Sequence, residues 1–127
     1  ARGARVTAEI VGEALGLPVA LDDALKEVRF GVHEGRTHGG WMPDWVAGRY
    51  APVGGETFAQ LRARAAGGVN RALERPPAVL VVAHGAVFRA LRDAMGIAPT
   101  TPTRNAQPIF CEPPRAAGQA WSLTYIE

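Results

Sequence analysis

The sequence predicts an α/β domain in which helices cover a sheet, and three observations carry that expectation. Val79–Ala83 is an uncharged apolar run, the pattern of a strand buried on both faces. It passes through His84-Gly85 into a stretch where Val87, Ala90, Leu91 and Ala94 recur at helical spacing, with Arg89, Arg92 and Asp93 between them. A second helical pattern precedes this unit, and two short β candidates follow it. Open α/β sheets bind ligands beyond the carboxyl ends of their strands, where helix N-termini offer unpaired N–H groups to anions. His84 stands at that edge, where an imidazole can hydrogen-bond a phosphoryl oxygen as a cation or as a neutral donor. A lone histidine there also suits a purely structural role, so the rest of the chain has to decide.

The elements follow in order. Val6, Ile10, Val11, Ala14 and Leu15 share one face of an opening helix that ends before Gly16 and Pro18. Pro18–Leu21 reads as a short extended piece, and Asp22-Asp23-Ala24 as a turn or short helix leading to Leu25, Lys26 and Glu27. Residues 31–50 are loop-like, with five glycines and with Pro43 as a breaker. The same stretch holds Trp41, Met42, Trp45 and Tyr50, so it should pack as a cap, either as satellite core or as pocket lining. After Pro52-Val53-Gly54-Gly55, a helix runs from Glu56 or Thr57 to about Arg75. Phe58, Leu61, Ala65, Val69, Ala72 and Leu73 form its buried side, and Arg62, Arg64, Arg71, Glu74 and Arg75 its solvated face. Beyond Gly96 and a Pro/Thr-rich turn, the candidates Ala106–Cys111 and Ala120–Ile126 form an edge hairpin.

Composition narrows the function. The chain has 127 residues, one domain's worth, with 47% hydrophobic and 20% charged residues. Its net charge of +2 is spread over scattered arginines, Lys26 being the only lysine. Without a basic stripe interleaved with aromatics, nucleic-acid binding is not implied. The single cysteine, Cys111, excludes an internal disulfide and suits a reducing compartment. No apolar run approaches the ~20 residues that span a bilayer, and no signal-peptide pattern is visible. A cytoplasmic location and no membrane partner are expected. His33 and His38 lie in a glycine-rich loop without metal-ligand spacing, so no metal is expected.

Four segments, in order, resemble one family. Ala4-Arg5-Val6-Thr7-Ala8-Glu9 is similar to the "RAxQTAE" segment of the histidine phosphatase superfamily, the phosphoglycerate-mutase-like proteins. The run from Leu25 to Gly35, with Glu27, Phe30, Gly31 and Glu34, resembles "LxExxfGxwEG". Gly54-Gly55-Glu56-Thr57 resembles "GGES", and Val81 to Arg89 resembles "vVsHGgvir". Asn105 and Trp121-Ser122-Leu123 fit that family's closing hairpin.

The resemblance implies a three-layer α/β sandwich and hydrolysis of a phosphomonoester through a phosphohistidine, without a cofactor. The implied nucleophile sits in an N-terminal "RHG" motif, and none of the three histidines here has that context. Residues 1–127 are therefore expected to be the C-terminal portion of a single domain, with an upstream strand–helix region missing. Carried over residue by residue, His84 and Gly85 bind the phosphoryl oxygens, and Glu27 protonates the leaving alkoxide and then activates water. The phosphate-binding arginine falls at Gly3, with Arg2 the first choice to replace it. Arg5, Arg36, Arg49 and Tyr50 are weaker candidates for substrate contacts. The expected partner is a small phosphorylated metabolite, and a homodimer is left open. The short stretch between Glu27 and His84 favours a phosphatase over phosphoglycerate mutase-type phosphotransfer. A degenerate, non-catalytic phosphate-binding member is the other alternative. A dinucleotide-binding unit is set aside because no glycine-rich turn follows the strand.

Overall fold

The computed structural model describes residues 2–35, 39–101 and 103–127, with Arg2 described for its backbone only. Among the described residues the chain forms helices α1 (Arg2–Leu15), α2 (Met42–Val46), α3 (Phe58–Ala72) and α4 (Gly85–Ala94). Strands β1 (Ile109–Glu112) and β2 (Ser122–Tyr125) follow, and 3₁₀ turns occupy Asp23–Leu25 and Gly31–His33.

Helix α1 stops as its sequence dictates. Gly16 takes the left-handed conformation at φ 66°, and Leu17 N–H donates to the Gly12 carbonyl at 2.9 Å, closing the helix end. Its apolar stripe finds no cover among the described residues: Val6, Ile10 and Leu15 are all exposed. Helix α2 corrects the reading of Pro43 as a breaker. Pro43 lies in the first turn, where its missing N–H would have had no partner in any case.

Helix α3 starts on a capping box, with Thr57 accepting from the Gln60 amide and Gln60 accepting from the Thr57 amide. Its buried positions, Phe58, Leu61, Ala65 and Gly68, recur at three and four residues and meet Val87, Ala90 and Leu91 of α4 in one core. Leu73, expected on the buried side, is instead half exposed beyond the helix end. The cap segment joins this core. Trp45 is fully buried, packed edge-on against Phe30 at 5.4 Å and Phe58 at 5.2 Å, with its indole N–H donating to the Glu56 carbonyl. Trp45 is thus core rather than pocket lining. Because Leu61 is wholly enclosed, Leu61→Ala is expected to cost about 2–5 kcal/mol of stability, read from urea unfolding. A loss below about 1 kcal/mol would show that this core is loosely packed.

The sheet is the largest departure from expectation. β1 and β2 pair antiparallel, from Ile109 opposite Tyr125 to Glu112 opposite Ser122, as the hairpin pattern predicts. Val79–Ala83 is not a strand. It runs without ladder partners, with Leu80 61% exposed and its neighbours only half-buried. An apolar run becomes a strand only where another strand satisfies its N–H and C=O groups, and among the described residues none lies beside it. A parallel sheet and a three-layer sandwich are therefore not seen in the described residues. No described helix is long and apolar enough to cross a membrane.

Candidate functional site

His84 is the N-cap residue of α4, in extended backbone conformation (φ −86°, ψ 161°), and its side chain makes no capping bond. The imidazole is therefore not consumed by the helix it precedes. Gly85 is the first helical residue and is exposed, and a Cβ there would meet nothing within 4 Å. Space beside the first turn is open, and the N–H groups of that turn have no intrahelical acceptors. Those amides and the helix dipole favour a negative group.

Glu27 reaches this helix end from a distant segment. Its Oε2 lies 3.2 Å from His84 Nδ1, while its Oε1 accepts the Val28 amide at 2.9 Å. Both side chains keep some solvent access, 21% for His84 and 38% for Glu27. His84 Nε2 is buried and has no hydrogen-bond partner among the described residues. Nδ1 faces the Glu27 carboxylate at ion-pair distance, and Nε2 is a donor in the imidazolium or an acceptor in the neutral ring whose proton sits on Nδ1.

The segment bearing Glu27 is held by a buried ion pair. Glu56, 1% exposed, accepts from Arg64 Nε at 3.0 Å and Nη2 at 2.6 Å. Arg64 also donates to the carbonyls of Ala24 and Lys26, each at 2.8 Å, and of Glu27 at 3.2 Å. The Arg29 amide donates to Glu56 Oε1 at 3.0 Å, and Glu56 N–H returns a bond to the Arg29 carbonyl at 2.8 Å. Arg64, expected on the solvated face of its helix, instead has a side chain only 23% exposed. Its position, three residues after Leu61 and one before Ala65, borders the buried stripe. Gly31 makes the approach of the two segments possible. Its φ is +55°, and a Cβ would collide with the Val53 carbonyl and the Gly55 amide.

Burial alone would push the Glu56 carboxyl up, but hydrogen bonds from Arg64 and the Arg29 amide, with both guanidinium charges, hold it below its ordinary value of 4.5. On acidification the unfolded chain therefore takes up this proton first, and the contribution fades as pH falls below about 4.5. The urea midpoint should drop more steeply between about pH 5 and pH 3 for the unaltered protein than for Glu56→Gln. Parallel curves would contradict the assignment.

Other sequence candidates lie apart from this pair or are otherwise engaged. Arg5 is spent on Glu9 one turn away at 3.0 Å on exposed α1, and Arg49 on Asp44 at 2.8 Å. Tyr50 OH is 2.7 Å from His33 Nε2, and the His33 ring stacks on Trp41 at 4.5 Å. None of these contacts involves His84 or Glu27. The Arg2 side chain, Arg36 and His38 lie outside the described residues. Arg92, placed by periodicity among the polar positions of α4, is buried and donates to Thr103 Oγ1 and the Pro99 carbonyl. A surface depression at the hairpin end is lined by Thr101, Thr103, Arg104, Gln107, Tyr125 and Glu127, and neither His84 nor Glu27 borders it. Sequence reading passed over Arg64, and it treated Glu56 only as a helix start within the Gly-Gly-Glu-Thr segment.

Compared with known protein families, residues 2–110 match the model described as the histidine phosphatase superfamily (branch 1). No curated protein and no solved structure matches the chain.

Proposed function

The chain belongs to the histidine phosphatase superfamily, and on that premise we propose that it serves a phosphomonoester hydrolase that works through a phosphohistidine on small phosphorylated metabolites. Membership supports phosphatase or phosphotransfer chemistry in general. The finer reading is carried by one observation, the 3.2 Å contact between Glu27 and His84 at the open N-terminus of α4.

In this reading the first-turn amides, Gly85 included, and His84 Nε2 hold the phosphoryl oxygens. A histidine nucleophile attacks phosphorus, the P–O bond to the alcohol breaks, and Glu27 gives its proton to the departing oxygen. Water then attacks the phosphohistidine, Glu27 takes its proton back, and inorganic phosphate leaves as the P–N bond breaks. The nucleophile is assigned to none of His33, His38 and His84. The family's three-layer sandwich belongs to the same proposal.

Phosphoglycerate mutase-type phosphotransfer is the alternative chemistry. A non-catalytic phosphate-binding role draws support from Gly3, which stands where the family's phosphate-binding arginine is expected. Phosphate release from p-nitrophenyl phosphate and from alkyl phosphates, measured on the product of the complete reading frame, separates these readings. Steady release of phosphate supports the hydrolase. Phosphate binding without release supports the non-catalytic member, and transfer to a second alcohol supports the mutase.

A further inference from the structure

We propose that the pair of buried Glu56 with partly buried Arg64 is the positioning device for Glu27, setting the carboxylate against His84. The inference rests on the reading of Glu27 and His84 given above and adds two residues to it. A guanidinium has five N–H donors, and at Arg64 each one is used. Nε–H and one Nη2–H go to the two oxygens of Glu56, both Nη1–H to the carbonyls of Ala24 and Lys26, and the second Nη2–H to the carbonyl of Glu27. Glu56 closes the ring from the other side by accepting the Arg29 amide. Backbone groups at residues 24, 26, 27 and 29 thus converge on one ion pair, and Glu27 lies inside the span they define. Its side chain adds only the local bond to the Val28 amide, so the direction of the carboxylate follows from the backbone that Arg64 holds. A lysine has three donors on a single nitrogen and cannot span this set.

A pair that served stability alone would leave the Glu27–His84 contact in place whenever the protein was folded. Nitrogen-15 NMR of the histidine ring separates the two roles without requiring turnover. In the unaltered chain the Nδ1–H of His84 should give a slowly exchanging low-field resonance that Glu27→Gln abolishes. If the unaltered protein lacks that resonance, the site reading falls and the inference with it.

In Arg64→Lys the resonance should be lost, and amide exchange at Val28 and Arg29 should rise at least about tenfold. The amide signals of α3 and α4 should stay at their native positions. Retention of the resonance in folded Arg64→Lys overturns the positioning role while leaving the site intact. Should Arg64→Lys fail to fold, Glu56→Gln, which keeps the shape and removes the charge, replaces it. Unfolding of both variants would make the pair a folding element and likewise overturn the inference. In the complete protein, Arg64→Lys should lower kcat on alkyl phosphates with little change in KM, and should add no further loss in a Glu27→Gln background. Additive losses would contradict it.

Discussion

Replacing His84 by alanine is expected to lower phosphomonoester turnover roughly 10²–10³-fold, the range for removing one fixed donor from a site of developing charge. The fold should survive. The imidazole makes no capping bond to α4, and the core beneath it is built from Val87, Ala90 and Leu91 rather than from His84. Circular dichroism and the urea midpoint should therefore stay close to those of the unaltered protein while kcat/KM falls. Turnover equal to the unaltered protein would remove His84 from the site, and a joint loss of fold and activity would return it to a structural role. A phosphoryl group carries charge on three oxygens, and in the proposed site the amides of the first turn would still meet some of them without the imidazole. That is why a partial loss of rate, rather than its abolition, is expected.

The second large effect concerns Glu27→Gln, which keeps the side-chain shape and removes the proton. Poor leaving groups need a proton as the P–O bond breaks, whereas p-nitrophenolate leaves without one. Turnover of alkyl phosphates should fall by about 10²–10⁴-fold, the usual contribution of a placed acid or base. The first-turnover release of p-nitrophenolate should change little. In the proposed mechanism the same carboxylate also activates water, so hydrolysis of the phosphohistidine should still slow, and a burst followed by a slow steady state is expected. Equal losses in the first turnover of every ester would argue against proton transfer by Glu27 to the leaving group and leave it as an orienting partner of His84.

Much of this site could be read from residue order. The change from an apolar run to a helical repeat at His84-Gly85 places the imidazole at a helix start, and α4 begins there. Glu27 is legible only through resemblance, because a carboxylate beside a 3₁₀ turn carries no periodic signal. Its contact with His84 spans 57 positions, and local pattern has no access to such distances. Val79–Ala83 shows a different limit. Apolarity shows that a segment prefers burial, but strand geometry depends on a neighbour that supplies hydrogen bonds. The exposed stripe of Val6, Ile10 and Leu15 on α1 has the same origin, since an amphipathic pattern states what a face needs and not what covers it.

Arg64 was misread for a simpler reason. Residue type assigned it to solvent although its helical position put it beside the Leu61–Ala65 stripe. A partly buried arginine is stabilised when its donors are used, and here the acceptors include carbonyls of a segment some forty residues away. Gly54-Gly55-Glu56 brings a carboxylate to the start of α3, and a buried carboxylate needs a cation, which α3 supplies at Arg64.

The claim beneath all of this is that the N-terminus of α4, with His84 and Glu27 beside it, binds a phosphoryl group. Titrating the isotopically labelled chain with inorganic phosphate tests it most directly. Ring signals of His84 and the amide of Gly85 should shift together and saturably, and in His84→Ala the Gly85 shift should need a higher phosphate concentration to saturate. Shifts confined to exposed arginines elsewhere, with His84 and Gly85 unmoved, would contradict it.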